Sequence, residues 1–402
     1  ARPGVANASG VRAALDQLAQ TFAADELERW LARGATLTDD QIARVREAEY
    51  LAHPELTSRG RSSIDVVISP EHLVCRHVQR LIEYPGALQV LDFADGHAVL
   101  VATRALVGGA LVGHQIKELR GHLPATVDAR VAAIFRRGKP VRPEGNTVIE
   151  ADDEVFFLAD RRDIRTVMSE LRKLDKPARR VFLAGGGNIG KALAKSMENS
   201  YSVKVLERSR ERSKLLAEDL QNSIVLVGDA ADEDLLREEN IDQTDVYCAL
   251  TNDDEANILS AMLAKKLGCP RVISLINRPA YAELVEGGPI DIAVSPQQVT
   301  LSALLTHIRQ GTMVRVHSLR RGAAEAIEAV ALGDRRTSRV IGRAVEELEL
   351  PAGTTLGGIV RGEKLLIAHH DVVIEHNDHI ILFLVDKRQL KYVEHMFRAD
   401  AT

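Results

Sequence analysis

The feature that most constrains this chain is that it repeats itself. Ile64–Pro70 reads IDVVISP and Ile290–Pro296 reads IDIAVSP, an offset of 226. Further along, Ile134-Phe135-Arg136 pairs with Ile359-Val360-Arg361, Val148-Ile149-Glu150 with Val373-Ile374-Glu375, and Asp153 with Asp378, all at an offset of 225. Two matches at nearly one offset describe a tandem duplication. The second copy, from near Lys176 to Thr402, holds about 226 residues. Two whole copies would need about 452, so in 402 residues the first copy is expected to be short by about 50, at its N-terminal side.

Composition narrows the class. Apolar residues make up 45% and charged residues 27%, as in soluble globular proteins. A net charge of −5 and only 4% aromatics argue against a basic, base-stacking nucleic-acid surface. Cys75, Cys248 and Cys269 form no CxxC, so neither a disulfide framework nor a zinc site is expected, and the thiols suit a reducing compartment. The longest stretch free of Asp, Glu, Lys and Arg, Ile292–Ile308, contains Pro296, Gln297 and Gln298, and no spanning helix or leader peptide is expected. Action at a membrane would therefore run through a partner, without direct insertion.

Copy two opens with a strand-like run, Arg180–Ala184, and then Gly185-Gly186-Gly187-Asn188-Ile189-Gly190, which fits GxGxxG. Helical periodicity follows through Ala192, Leu193 and Met197, and a second strand-like run, Val203–Leu206, ends at Glu207. A strand, a glycine-rich turn, a helix and an acid about 20 residues on form the dinucleotide-binding fingerprint. The first glycine permits the tight turn, the second a close approach of backbone N–H groups to a pyrophosphate, and the third close packing of helix on strand. The helix N-terminus adds partial positive charge. Glu207 is placed to accept from ribose hydroxyls. Further strands at Ser223–Val227, Val246–Leu250, Val272–Leu275 and Ile290–Val294 alternate with helices, which predicts a parallel doubly wound sheet. Asp229, Thr251 and Asn252 fall at strand ends, where such sheets bind ligands.

Residues 312–402 read differently, as a strand-rich module with turns at 351–353, 361–363 and 376–378 and a closing helix at 389–397. No nucleophile–base–acid set is visible, so no catalytic residue is expected. His369, His370, His376 and His379 read as surface histidines and no metal site is expected. Asp253-Asp254-Glu255 reads as capping and dipole chemistry at a helix start. Arg136-Arg137-Gly138-Lys139 and Arg320-Arg321 read as solvated turns.

The order GGGNIG (Gly185–Gly190), VLER (Val205–Arg208), GDA (Gly228–Ala230) and ALTNDDEAN (Ala249–Asn257) is similar to the RCK (KTN) family of nucleotide-binding domains that regulate potassium transport. RLIEYPGALQV (Arg80–Val90), VMSEL (Val167–Leu171), SAMLAKKLG (Ser260–Gly268) and SLRRGAAEAIEAVA (Ser318–Ala331) resemble its tandem form in bacterial Trk-type uptake systems. The resemblance spans about residues 42–402. It implies a cytoplasmic regulatory subunit, peripheral at the inner face of the plasma membrane, that senses nucleotide and gates a Trk-type potassium-translocating membrane subunit. A homo-oligomer is implied, with NAD(H) or an adenine nucleotide (ATP or ADP) as ligand. By position it assigns Gly185, Gly186, Gly187, Asn188, Ile189 and Gly190 to the phosphate loop and Glu207 to the ribose. Asp229, Thr251 and Asn252 fall at the neighbouring strand ends, and Arg44 matches a nucleotide-contacting arginine. Arg208, beside Glu207, keeps a 2′-phosphorylated or adenine-only ligand open.

The expected fold is α/β, a Rossmann-like doubly wound sheet plus small α+β modules in tandem, with the first Rossmann unit incomplete. The expected segments are a helical stretch at 1–41 that departs from the family, a Rossmann remnant at 42–85, an α+β module at 86–173, a complete Rossmann domain at 174–311 and a second α+β module at 312–402. Two other functions remain open on sequence, an NAD(P)-dependent oxidoreductase and a truncated, non-sensing structural module.

Overall fold

The computed structural model describes residues 42–44, 66–173, 176–285, 288–308, 313–320, 323–368, 371–385 and 389–397. The expected helices of 1–41, and Arg321, His369 and His370, lie outside the described residues. The described chain forms two compact units. One takes residues up to Pro85 together with Lys176–Leu301, the other Gly86 onward together with the stretch from Ser302.

The first unit holds a six-stranded parallel sheet. Its strands are β8 (Arg180–Ala184), β9 (Ser202–Glu207), β10 (Ile224–Val227), β11 (Val246–Ala249), β12 (Val272–Leu275) and β13 (Ile292–Val294), in the order β10-β9-β8-β11-β12-β13. β11 and β12 are buried along their whole length, as expected of strands covered on both faces, while the edge strand β10 leaves Ile224 and Val227 exposed. The crossovers are α3 (Asn188–Met197), α4 (Arg210–Asp219), α5 (Glu233–Glu238), α6 (Asp254–Lys266) and α7 (Pro279–Val285), with α8 (Pro296–Ile308) after β13. Copy one contributes a parallel pair, β1 (Ile42–Arg44) with β2 (Val66–Ile68), and the helix α1 (Pro70–Glu83). α1 buries Val74, Val78, Leu81 and Ile82 and packs on α3, with Cys75 Sγ 3.9 Å from Ser196 Oγ. The three cysteines are free and buried.

The second unit contains two five-stranded antiparallel sheets with one topology. β3 (Ala87–Phe93), β4 (Ala98–Arg104), β5 (Ala129–Arg136), β6 (Lys139–Val141) and β7 (Glu154–Asp160) run in the order β3-β4-β7-β5-β6, with α2 (Ile164–Leu171) behind them. β14 (Met313–Leu319), β15 (Ala324–Val330), β16 (Thr354–Arg361), β17 (Lys364–Ile367) and β18 (His379–Leu384) run in the order β14-β15-β18-β16-β17, followed by α9 (Leu390–Phe397). The sheets share a core in which Phe93, Leu100, Phe135 and Phe156 meet Leu319, Val360, Ile381 and Phe383. The alternation of an open sheet is therefore lost, and the central strands β7 and β18 are apolar on both faces.

In the basic turns read as solvated, Arg137 and Lys139 are exposed, whereas Arg136 and Arg320 are engaged. Arg136 donates to Asp153, Glu150 and the Val148 carbonyl, and Arg320 pairs with Glu154 over the Phe135 ring. His379 does not stand free on the surface either, because its Nδ1 lies 2.6 Å from the buried Glu328 carboxylate.

Candidate nucleotide-binding site

The strand order reverses direction between β8 and β11, so the crevice at their carboxyl ends is the switch point of the sheet. The glycine turn after β8 lies in that crevice, and each glycine there has its own reason. Gly185 has φ +115, and a Cβ would stand 2.9 Å from Leu250 C and Thr251 N. A Cβ on Gly186 would stand 2.2 Å from Leu216 Cδ1 on α4, and one on Gly190 would stand 1.9 Å from the Gly185 carbonyl oxygen, so α3 can close on the turn only with glycine at 190. Gly187 is different. Its φ is −68, and a Cβ would meet nothing of the chain within 4 Å. The space beside it is left for something else.

The helix that starts there is left open in the same way. Gly187 is the N-cap of α3 and supplies no side-chain cap, so first-turn N–H groups of Asn188 and Ile189 lack an intrahelical partner. Four other helices of this unit are closed by side chains. Ser69, Ser209, Asp232 and Asp253 cap α1, α4, α5 and α6. An uncapped helix N-terminus over open space is suited to phosphate oxygens.

Glu207 ends β9 with its side chain 3% exposed. Its Oε2 accepts the Gly186 N–H at 3.1 Å, and its Oε1 accepts the Ser209 N–H and Arg212 Nη2, each at 2.9 Å. Three donors occupy most of the roughly four acceptor sites of a carboxylate. The acid is thus fixed on the glycine turn before any ligand arrives. Arg208 is 86% exposed, with Nε 3.8 Å from Asp229 Oδ2, and Asp229 itself accepts the Ala231 N–H.

Thr251 and Asn252 follow β11. Thr251 is positioned by a residue that sequence reasoning did not assign. Asn257, wholly buried on α6, accepts from the Thr251 N–H at 2.9 Å and the Thr251 hydroxyl at 2.7 Å. Its Nδ2 donates to the Thr251 and Leu275 carbonyls at 2.9 and 3.0 Å. One amide therefore fastens the carboxyl ends of β11 and β12 together. Asp254 departs from the capping role read for the acidic triplet. Asp253 caps α6, whereas Asp254 is buried and accepts the Asn277 and Arg278 N–H groups at 2.8 Å. A buried carboxylate that holds the β12 loop leaves no sequence signature beyond its place in a helix start. Glu255 reaches Arg278 and Tyr281.

Of the residues assigned from sequence, Gly185–Gly190, Glu207, Asp229, Thr251 and Asn252 all fall at the carboxyl ends of the adjacent strands β8, β9, β10 and β11. Arg44 is not brought to them by any described contact, since only its backbone, as the last residue of β1, is described.

The comparisons agree with this geometry. The TrkA-N domain family matches residues 181–296. The TrkA-C domain family matches twice, at 101–172 and 335–397, once in each of the two antiparallel modules. The Trk system potassium uptake protein TrkA of Vibrio alginolyticus is 57% identical over 362 residues, covering 90% of this chain and 79% of that protein. Its counterparts in Halomonas elongata and Haemophilus influenzae are 56% and 46% identical, covering 91% and 96% of this chain and 80% and 85% of theirs. The duplicated fold, the glycine turn and the level of identity lead to one conclusion, that this chain belongs to the TrkA family of Trk-system potassium uptake proteins.

Proposed function

We infer that this chain is a nucleotide-sensing regulatory subunit of a potassium-uptake system, with the crevice at β8 and β11 as its sensor. The observation that carries the reading is Gly187. Folding does not require glycine there, yet the open space beside it lies over an uncapped helix N-terminus and next to an acid already locked on the same turn. Those features fit a dinucleotide, NAD(H), whose pyrophosphate would lie on the N–H groups of Gly187, Asn188 and Ile189. Glu207 would use its remaining acceptor capacity toward a ribose hydroxyl. Thr251 and Asn252 would form the facing wall, and Arg208 and Asp229 the rim at the ribose end. ATP or ADP would use the same phosphate contacts.

Regulation follows from thermodynamics. A nucleotide shifts a gate only if it binds two arrangements of the subunit with different affinity. The partner is a potassium-translocating membrane subunit, approached from the cytoplasmic side by an assembly of several copies. No helix among the described residues is long and apolar enough to cross a membrane. On this reading the chain binds nucleotide without turning it over.

Calorimetric titration of the full chain with NADH, NAD+, ATP and ADP tests the proposal. Gly187→Val is expected to keep the thermal midpoint and to weaken binding at least tenfold, while Gly190→Ala is expected to destabilise by about 1–3 kcal/mol through overpacking. Unaltered nucleotide binding by a folded Gly187→Val protein would overturn the assignment. Steady hydride transfer from NADH to an acceptor would replace it with an oxidoreductase.

A further inference from the structure

The first antiparallel module carries a cluster that the nucleotide site does not use. His114, Glu118 and His122 stand four residues apart, His114 just ahead of a short 3-10 turn (Ile116–Glu118), Glu118 at its end and His122 at the end of the one-turn helix that follows (Leu119–His122). His114 Nδ1 lies 3.0 Å from Glu118 Oε2, and the two imidazole centroids are 5.4 Å apart. One ligating atom from each of the three residues lies within 4.8 Å of the others. A second carboxylate stands against the same group, with Glu170 Oε2 on α2 3.3 Å from His122 Nδ1. A carboxylate on one imidazole nitrogen fixes the tautomer that offers the other nitrogen to a metal. The cluster is open to water, since the His114 side chain is 50% exposed.

The second module shows what the fold alone requires at this turn. Glu118 accepts the Gln115 N–H at 3.0 Å, and its counterpart Glu347 accepts the Ala344 N–H at 2.8 Å, so the turn closes in the same way in both. The other members do not recur. Arg343 stands where His114 does, next to a positive-φ glycine in each case (Gly113 and Gly342). The run from Glu347 to Pro351 is two residues shorter than that from Glu118 to Pro124, so that, counting back from the proline, Glu349 stands where His122 does, and α9 places Met396 where α2 places Glu170. The histidines and Glu170 are thus additions to a turn that forms without them.

We propose that His114, Glu118 and His122 bind one borderline divalent transition-metal ion of the zinc class, with Glu170 as the positioning residue behind His122. Two imidazoles and one carboxylate leave a tetrahedral zinc with an open position for water. Ligand atoms about 2.0–2.1 Å from such an ion stand about 3.3 Å apart, which a rotation of the exposed His114 ring supplies. Magnesium and calcium prefer all-oxygen shells and are not expected to compete.

The test uses the full chain. Zn2+ titrated calorimetrically is expected to bind at one equivalent, and Co2+ to give the intense visible absorption of a tetrahedral site. His114→Gln and His122→Gln should lose that equivalent. Glu118→Gln should lose it too while keeping the turn, because its amide oxygen still accepts the Gln115 N–H. Glu170→Gln should weaken binding about 10–100-fold. Metal-free thermal midpoints and NADH binding of the variants report on folding. Absence of Zn2+ binding at micromolar concentration, or undiminished binding by Glu118→Gln and His122→Gln, would overturn the proposal.

Discussion

The antiparallel modules at 87–171 and 313–397 answer each other residue by residue in their sheets and diverge in their loops. Both have the same strand order, and both slip register at the same places, β3 with β14 and β5 with β16. Each is locked by one clasp. Arg136 Nε donates to Asp153 at 2.9 Å and its Nη groups reach Glu150 and the Val148 carbonyl, while Arg361 does the same to Asp378, Glu375 and the Val373 carbonyl. Both aspartates are wholly buried, and the bonds to them raise the affinity of both guanidiniums for their protons. The residues that recur at one offset build the sheets and their clasps. The residues that do not recur, His114, His122 and Glu170 against Arg343, Glu349 and Met396, are those the sheet leaves free for other chemistry.

That equivalence can be broken. Arg136→Met and Arg361→Met each strand a buried carboxylate, and each is expected to cost about 3–5 kcal/mol in urea denaturation. If one variant is severely destabilised and the other nearly neutral, the clasps are not equivalent.

A smaller effect tests a place where the modules differ. Glu328 on β15 is buried and accepts from the Ala94 N–H at 3.0 Å, while the corresponding residue of β4 is Ala102. Glu328→Ala makes the second module resemble the first but leaves the Ala94 N–H and His379 without this acceptor, a loss of about 1–3 kcal/mol. Glu328→Gln should recover part of it. A neutral Glu328→Ala would show that the Glu328 carboxylate adds nothing to the joining of the sheets.

The smallest effect is a pH dependence confined to the first module. The Gln115 N–H, and then His114, hold the Glu118 carboxyl below its ordinary value of 4.5. A carboxyl depressed in the folded state stabilises fully above its unfolded value and loses that contribution as pH falls through the folded value. Glu118→Gln should therefore flatten the decline of the thermal midpoint below about pH 4.5. Parallel curves for the two proteins would remove Glu118 from the acid response.

Much of this was legible in the sequence, for reasons visible in particular residues. The strands of the parallel sheet announce themselves because β8, β11 and β12 are short apolar runs bounded by turn residues, and the glycine turn is written in residues with few substitutes. The clasp was visible as matched letters, since Arg136, Glu150 and Asp153 recur as Arg361, Glu375 and Asp378, but its purpose was not. Asn257 and Asp254 were hidden because each reaches across the fold, Asn257 to the end of β12 and Asp254 to the loop after it, from a helix start where polar residues are commonplace. The metal-like cluster was hidden by its spacing, which no common motif uses. The mutual core of the two modules was hidden because burial on both faces erases the alternation that would identify a single covered face.

That mutual core has a consequence for how the protein is made. The apolar face of the first sheet, with Phe93, Leu100, Phe135 and Phe156, is covered by residues of the second sheet, each made about 225 positions after its counterpart in the first. At roughly 5–20 residues per second the ribosome needs roughly 10–45 s to supply them. During that interval a finished sheet waits with one greasy side uncovered while an unrelated domain is synthesised between its halves. If the chain folds as it emerges, slower translation is expected to lengthen that exposure and to lower the yield of folded protein.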